Sequence, residues 1–101
     1  MKYILFGTPE FAAIIIEKLI DTGIPPVALV CNPDKPVGRK KIVTCPPSKE
    51  VITRKQLSNI DILQPSKLDA GFLEKLKDYD ADFFVVAAYG KILPPELIKL
   101  P

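Results

Sequence analysis

The stretch Lys2-Tyr3-Ile4-Leu5-Phe6-Gly7-Thr8-Pro9-Glu10-Phe11, followed by AAIIIEKLI through residue 20, decides the fold. A short apolar run stops at a glycine, and the pattern then changes from continuous to helical. Ala12, Ile15, Ile16, Leu19 and Ile20 recur at three- and four-residue spacing, with Glu17, Lys18 and Asp21 between them. Residues 2–6 therefore read as a buried strand and Pro9 to about Thr22 as a helix. Thr8 is a candidate N-cap, Pro9 suits the first helical position, Glu10 complements the helix dipole, and Gly23 is a stop. VALVCN, 27–32, is a second buried strand. Strand, helix and strand within about thirty residues make a βαβ unit and so a parallel sheet.

Farther along, Ser48 is a candidate cap for a helix through about Gln56, with Val51, Ile52 and Leu57 facing inward. IDILQP, 60–65, reads as a short strand, and Asp69 to about Tyr79 as a helix carrying Phe72, Leu73 and Leu76 on one side. ADFFVVAAYG, 81–90, is the most continuous apolar strand, which suits a central position. Pro95 begins a closing helical turn. Four strands alternating with three helices predict an α/β, Rossmann-like open parallel sheet with strand order 3-2-1-4. Stopping after such a strand, the sheet reads as incomplete, the first part of a larger domain. Ligands of such sheets bind beyond the carboxyl ends of the strands. Three segments emerge there: Gly7-Thr8-Pro9-Glu10, the loop that follows Cys31, and Tyr89-Gly90-Lys91.

The first of these invites a phosphate, but the details oppose one. A dinucleotide fingerprint needs three glycines, and here Pro9 and Ala12 stand where the second and third belong. No Walker loop is present. Pro9 has no N–H to offer, and Glu10 brings a carboxylate to the place an anion would occupy. The turn reads as a strand-to-helix connection.

Composition narrows the chemistry further. The 101 residues are 48% hydrophobic and 26% charged, a globular balance for one domain or a piece of one. No apolar run reaches the length of a membrane span and no signal peptide is evident, so a soluble cytoplasmic protein is expected. There is no histidine, and Cys31 and Cys45 form no C-x-x-C pair, which argues against a metal site and against any histidine-based catalysis within this sequence. Free thiols are expected. The net charge of +2 is concentrated in one place: Lys35, Arg39, Lys40 and Lys41 against Asp34 give 31–47 a charge of +3. That proline-rich stretch, NPDKPVGRKKIVTCPP over 32–47, has no lasting periodicity and reads as a long loop. It is either solvated charge or a flexible arm for a nucleic-acid backbone, without aromatic residues for base stacking. At the end, AAYGKILP offers small residues beside the sheet. Its backbone can face a flat heterocycle, or Tyr89, Ile92 and Leu93 can simply pack the sheet's end.

Taken together, FGTPEFA, NPDKPVGRKKIVTCPPSK and DFFVVAAYGKILPPELI resemble the methionyl-tRNA formyltransferase family over essentially all 101 residues, in order and spacing. The resemblance implies the first part of a Rossmann-like formyltransferase domain spanning 1–101, with the C-terminal tRNA-binding barrel of that family absent. It implies transfer of a formyl group from 10-formyltetrahydrofolate to the α-amine of methionyl initiator tRNA, in translation initiation, by an enzyme without a metal and, at full length, monomeric. It places Tyr89, Gly90, Lys91, Ile92 and Leu93 at the folate pteridine, partly through main chain. It places Lys35, Arg39, Lys40 and Lys41 at the tRNA, and Gly7, Thr8, Pro9 and Glu10 at the edge of the acceptor cleft. The family's catalytic Asn, His and Asp have no counterpart in 1–101, so no catalytic residue is expected in this chain, and the 101 residues alone are expected to be inactive. Three other readings stand beside this one: a formyltransferase acting on a nucleotide sugar, a dinucleotide-binding domain, and a stand-alone RNA-binding module. A small acceptor needs no flexible basic arm, and the second strand ends in Cys31-Asn32 rather than an acidic residue.

Overall fold

The computed structural model describes residues 2–37, 42–57, 59–87, 89, 93 and 95. Along the chain these form β1 (Tyr3–Phe6), α1 (Glu10–Asp21), β2 (Ala28–Val30), β3 (Lys35–Val37), β4 (Ile42–Thr44), α2 (Pro47–Arg54), β5 (Asp61–Leu63), α3 (Ala70–Lys77) and β6 (Phe83–Val86). Four strands make a sheet in the order β5-β2-β1-β6, every pair parallel. This is the 3-2-1-4 order expected from the sequence for its four strands. The expectation of a long loop without structure is corrected in part. Within 32–47, β3 and β4 pair antiparallel, with Lys35 opposite Thr44 and Val37 opposite Ile42. Val37, Ile42, Val43 and Thr44 are β-formers, but Pro36 and the flanking prolines conceal the ladder from any periodicity argument.

The pleat of β1 sends alternate side chains to opposite faces, and each face acquires its own core. Tyr3 and Leu5, with Leu29 and Cys31, meet Ala12, Ala13 and Ile16 of α1 and Val51 and Ile52 of α2. Ile4 and Phe6, with Ala28, Val30 and Leu63, meet Phe72 and Leu76 of α3, and Tyr89. Helices therefore cover both faces, as continuous apolar strands require. Tyr3 satisfies its hydroxyl by donating to the Ile24 carbonyl.

Helix ends explain two further corrections. At the start of α1, Pro9 is the N-cap residue and makes no side-chain cap, so Thr8 does not cap the helix. Pro46 holds the same place at α2, with Pro47 at the first helical position, so Ser48 is already inside the first turn. The Asp69 carboxylate does cap α3, accepting from the Phe72 N–H at 3.0 Å. Helix α1 closes in a Schellman arrangement: Ile24 N–H donates to Leu19 O, Gly23 N–H donates to Ile20 O, and Gly23 has φ +84°. Helix α2 closes the same way around Gln56 at φ 55°, where the residue type gives no stop signal.

β6 is the edge of the described sheet rather than a central strand. Phe83 and Val86 are 38% and 53% exposed. Among the described residues, β1 is the one strand that pairs with β6.

Candidate functional site

The carboxyl ends of β1, β2 and β6 lie together, because β1 has β2 on one side and β6 on the other. Gly7 sits in the tightest spot. A Cβ there would lie 2.5 Å from the Ala12 Cβ and 2.6 Å from the Ala87 carbonyl oxygen. Its N–H donates to Val30 O at 2.9 Å, and its carbonyl accepts from the Ser48 hydroxyl at 2.7 Å. The glycine thus lets strand, helix and β6 close on one another, and its N–H is already used within the sheet.

Thr8, Asn32 and Tyr89 then converge. The Asn32 N–H donates to Thr8 Oγ1 at 3.1 Å. Thr8 Oγ1 and Asn32 Nδ2 both donate to the Tyr89 carbonyl, at 3.4 Å each. Asn32 Oδ1 is buried from water and has no hydrogen-bond partner among the described residues. The root of the basic segment, the turn after β1 and the start of 89–93 therefore meet in a single polar knot.

A second tier holds this knot from outside. Ser48, fully buried, donates its backbone N–H to Thr8 O at 3.3 Å in addition to its hydroxyl bond to Gly7. Gln64 Nε2 donates to Asn32 O at 3.1 Å and to Asp34 Oδ1 at 2.6 Å. Lys49 Nζ donates to Asp34 Oδ1 at 3.2 Å and to Gln64 Oε1 at 2.9 Å. The Gln64 and Lys49 hydrogen bonds keep the Asp34 carboxyl below its usual range. Burial pushes the Cys31 thiol up to about 12, only partly offset by nearby Lys49 and Ser48, so the thiol stays protonated and is no nucleophile at neutral pH. Cys31 and Cys45 are both free thiols.

The residues expected at the site divide clearly. Gly7 and Thr8 stand at the sheet's end, while Pro9 and Glu10 are exposed just beyond. The Tyr89 ring belongs to the core: it is 2% exposed and meets Phe6 edge-on at a centroid distance of 5.5 Å. Burial raises its phenol to about 12. What Tyr89 turns toward Thr8 and Asn32 is its main-chain carbonyl. Leu93 is half-buried against the same core. Lys35 lies on β3, one strand-length from Asn32 along the chain. Gly90, Lys91, Ile92, Arg39, Lys40 and Lys41 lie outside the described residues. Sequence reasoning missed Asn32, Ser48, Lys49 and Gln64 as parts of this site. Ser48 carried one signal, a small hydroxyl residue just after paired prolines, but it was equally the signature of a cap.

A groove between the first half of α1 and the length of α2 is lined by Glu10, Ala13, Glu17, Pro47, Glu50 and Arg54. Three carboxylates make this groove poorly suited to a phosphate. Among the described residues, no group of three or more metal-ligating side chains could hold a metal ion. Nor is any helix there long and apolar enough to cross a membrane.

A parallel sheet with helices on both faces, and a polar knot at the carboxyl ends of β1, β2 and β6, defines an α/β domain of the open-sheet class, with no phosphate loop in its first strand-to-helix turn. The formyl transferase family model matches residues 1–101, and the chain belongs to that family. It is 48% identical over 101 residues to the methionyl-tRNA formyltransferase of Sulfurimonas denitrificans, covering 98% of this chain and 32% of that protein. It is 44% identical to the same enzyme of Caldicellulosiruptor saccharolyticus and 41% identical to that of Halalkalibacterium halodurans, covering all of this chain in both cases and 32% and 31% of those proteins. The chain thus spans about a third of the length of these curated relatives.

Proposed function

We propose that residues 1–101 form the opening part of the catalytic domain of a cytoplasmic enzyme of translation initiation. The enzyme moves a formyl group from 10-formyltetrahydrofolate to the α-amine of methionyl initiator tRNA. The observation that carries this reading is the identity of 41–48%, along practically the whole chain, to relatives named methionyl-tRNA formyltransferase. The meeting of Thr8, Asn32 and Tyr89 supports it, because it gathers the three segments that such an enzyme needs near one cleft.

In this reading the main chain of 89–93 faces the pteridine ring, and Gly7-Thr8-Pro9-Glu10 shapes the acceptor side. Lys35, Arg39, Lys40 and Lys41 neutralise phosphates of the tRNA. The amine nitrogen attacks the formyl carbon and the bond from that carbon to the folate nitrogen breaks. The amine's proton passes to the folate nitrogen. By the family resemblance, the donor array that stabilises the oxyanion and the base that takes the proton are an Asn, a His and an Asp without counterparts in 1–101, in agreement with the lack of histidine here. The 101 residues contribute scaffold, cofactor contact and tRNA contact, and alone are inactive.

The test is formyl transfer by the complete protein that contains these residues, with initiator methionyl-tRNA and 10-formyltetrahydrofolate. Donor-dependent formylation of the methionyl amine is expected. Transfer to an amino sugar nucleotide in place of the tRNA would overturn the reading.

A further inference from the structure

We propose that Asn32 is a positioning residue of the transfer site, one that fixes the main chain of Tyr89 through its carbonyl. This deepens the formyltransferase reading and rests on it. Three observations carry it. The Asn32 Nδ2 and the Thr8 hydroxyl approach the same carbonyl at 3.4 Å each, longer than the best N–H···O and O–H···O bonds, so both have room to tighten. Thr8 is itself fixed by the Asn32 N–H at 3.1 Å, and Asn32 by Gln64 at 3.1 Å. The Asn32 Oδ1 is buried without a partner among the described residues, a costly state that a donor arriving at the cleft relieves.

The amide therefore works as a two-sided clamp. Its nitrogen holds the first residue of the segment facing the folate ring, and its oxygen waits for an N–H or O–H donor. The same residue opens the basic segment, whose path continues through Asp34, tied by Lys49 and Gln64. Placement of the folate segment and placement of the tRNA arm thus share one root.

The experiment measures binding of a stable deazafolate analogue of the formyl donor to the complete protein, with KM for each substrate and thermal melting alongside. Asn32→Ala is expected to weaken analogue binding and raise the donor KM by about tenfold, the scale of one or two lost hydrogen bonds. Asn32→Asp, which keeps the shape and the acceptor but loses the donor, is expected to do the same. Thr8→Val repeats the defect and Thr8→Ser, retaining the hydroxyl, restores most of the affinity. Unchanged analogue binding in Asn32→Ala overturns the proposal. So does a loss that tracks a fall in melting temperature and affects both substrates equally, because that is a folding defect. A wild-type protein that binds no folate analogue overturns the functional reading and this proposal with it, whereas normal wild-type binding with an indifferent Asn32 overturns this proposal alone.

Discussion

A Cβ placed on Gly7 would stand 2.5 Å from the Cβ of Ala12, well inside the contact distance of two carbon atoms. The glycine after β1 is therefore a packing requirement, with the Ala87 carbonyl pressing from the other side at 2.6 Å. Neither neighbour is the far end of a flexible side chain, so relief means moving α1 or β6. Gly7→Ala is expected to destabilise the fold by about 1–3 kcal/mol or more, the usual range for overpacking. The check is the urea midpoint; a shift within error would show that α1 yields freely.

Ser48 offers a complementary measurement. Its hydroxyl satisfies the Gly7 carbonyl at 2.7 Å in a fully buried position, where water cannot substitute. Ser48→Ala leaves that acceptor unmet and is expected to cost about 1–3 kcal/mol of stability. Because the bond also anchors α2 to the turn that carries Thr8, the donor KM of the complete protein should rise along with the loss of stability. Chemical denaturation and steady-state kinetics on the same variant check both parts.

The two serine and threonine positions also show how far the sequence could be read. A continuous apolar run disclosed β1, buried on both faces, and apolar periodicity disclosed α1, α2 and α3, because one buried face fixes each helix whatever its partners. The strand order followed from connection rules that do not depend on side chains. The roles of Thr8 and Ser48 were different. Both sit just before or within a helix start, where a cap is the local default, yet proline occupies each N-cap and their hydroxyls turn to partners 81 and 41 residues away. Asn32, Lys49 and Gln64 were silent for the same reason, since their bonds join segments that meet only once the sheet is built. The β3–β4 ladder was hidden by Pro36, which breaks the alternation that announces a strand.

Alkaline pH should weaken the fold, and the sign follows from the acids buried in it. Cys31 rises from 9.0 to about 12 and Tyr89 from 10.0 to about 12, in both cases chiefly through burial. Between those values the unfolded chain has lost protons that the folded chain retains. The unfolded state then binds fewer protons, so stability falls as pH rises. The decline should begin near pH 9, through the Cys31 thiol, and steepen above pH 10. Denaturant midpoints from pH 7 to 11 check the slope. Cys31→Ala should flatten the portion between pH 9 and 10, and an unchanged slope there would exclude the thiol as its source.

The basic segment supplies the test of the tRNA contact. In the complete protein, replacing Arg39, Lys40 and Lys41 together by Ala should raise the KM for initiator tRNA while leaving the donor KM unchanged. Three lost phosphate contacts also reduce the slope of log affinity against log salt concentration by about 2. Titration of tRNA binding at several salt concentrations reads that slope directly. An unaltered slope would identify these charges as merely solvated.

The flank of β6 leads to the last expectation. Its backbone has β1 on one side and no described strand on the other, and Phe83 and Val86 remain 38% and 53% exposed. An apolar strand with an open row of N–H and C=O groups recruits another strand, and in solution the available one belongs to a second copy. Residues 1–101 produced alone should therefore self-associate with rising concentration, as sedimentation velocity would report. A charge on the edge opposes such pairing without entering the core, because Val86 lies opposite Phe6 with its side chain largely in water. Val86→Lys should return the chain toward the monomer at equal concentration, with the same far-ultraviolet spectrum. If association persists undiminished in that variant, the contact lies elsewhere, and the exposed Phe11 and Ile14 of α1 become the surface to mutate.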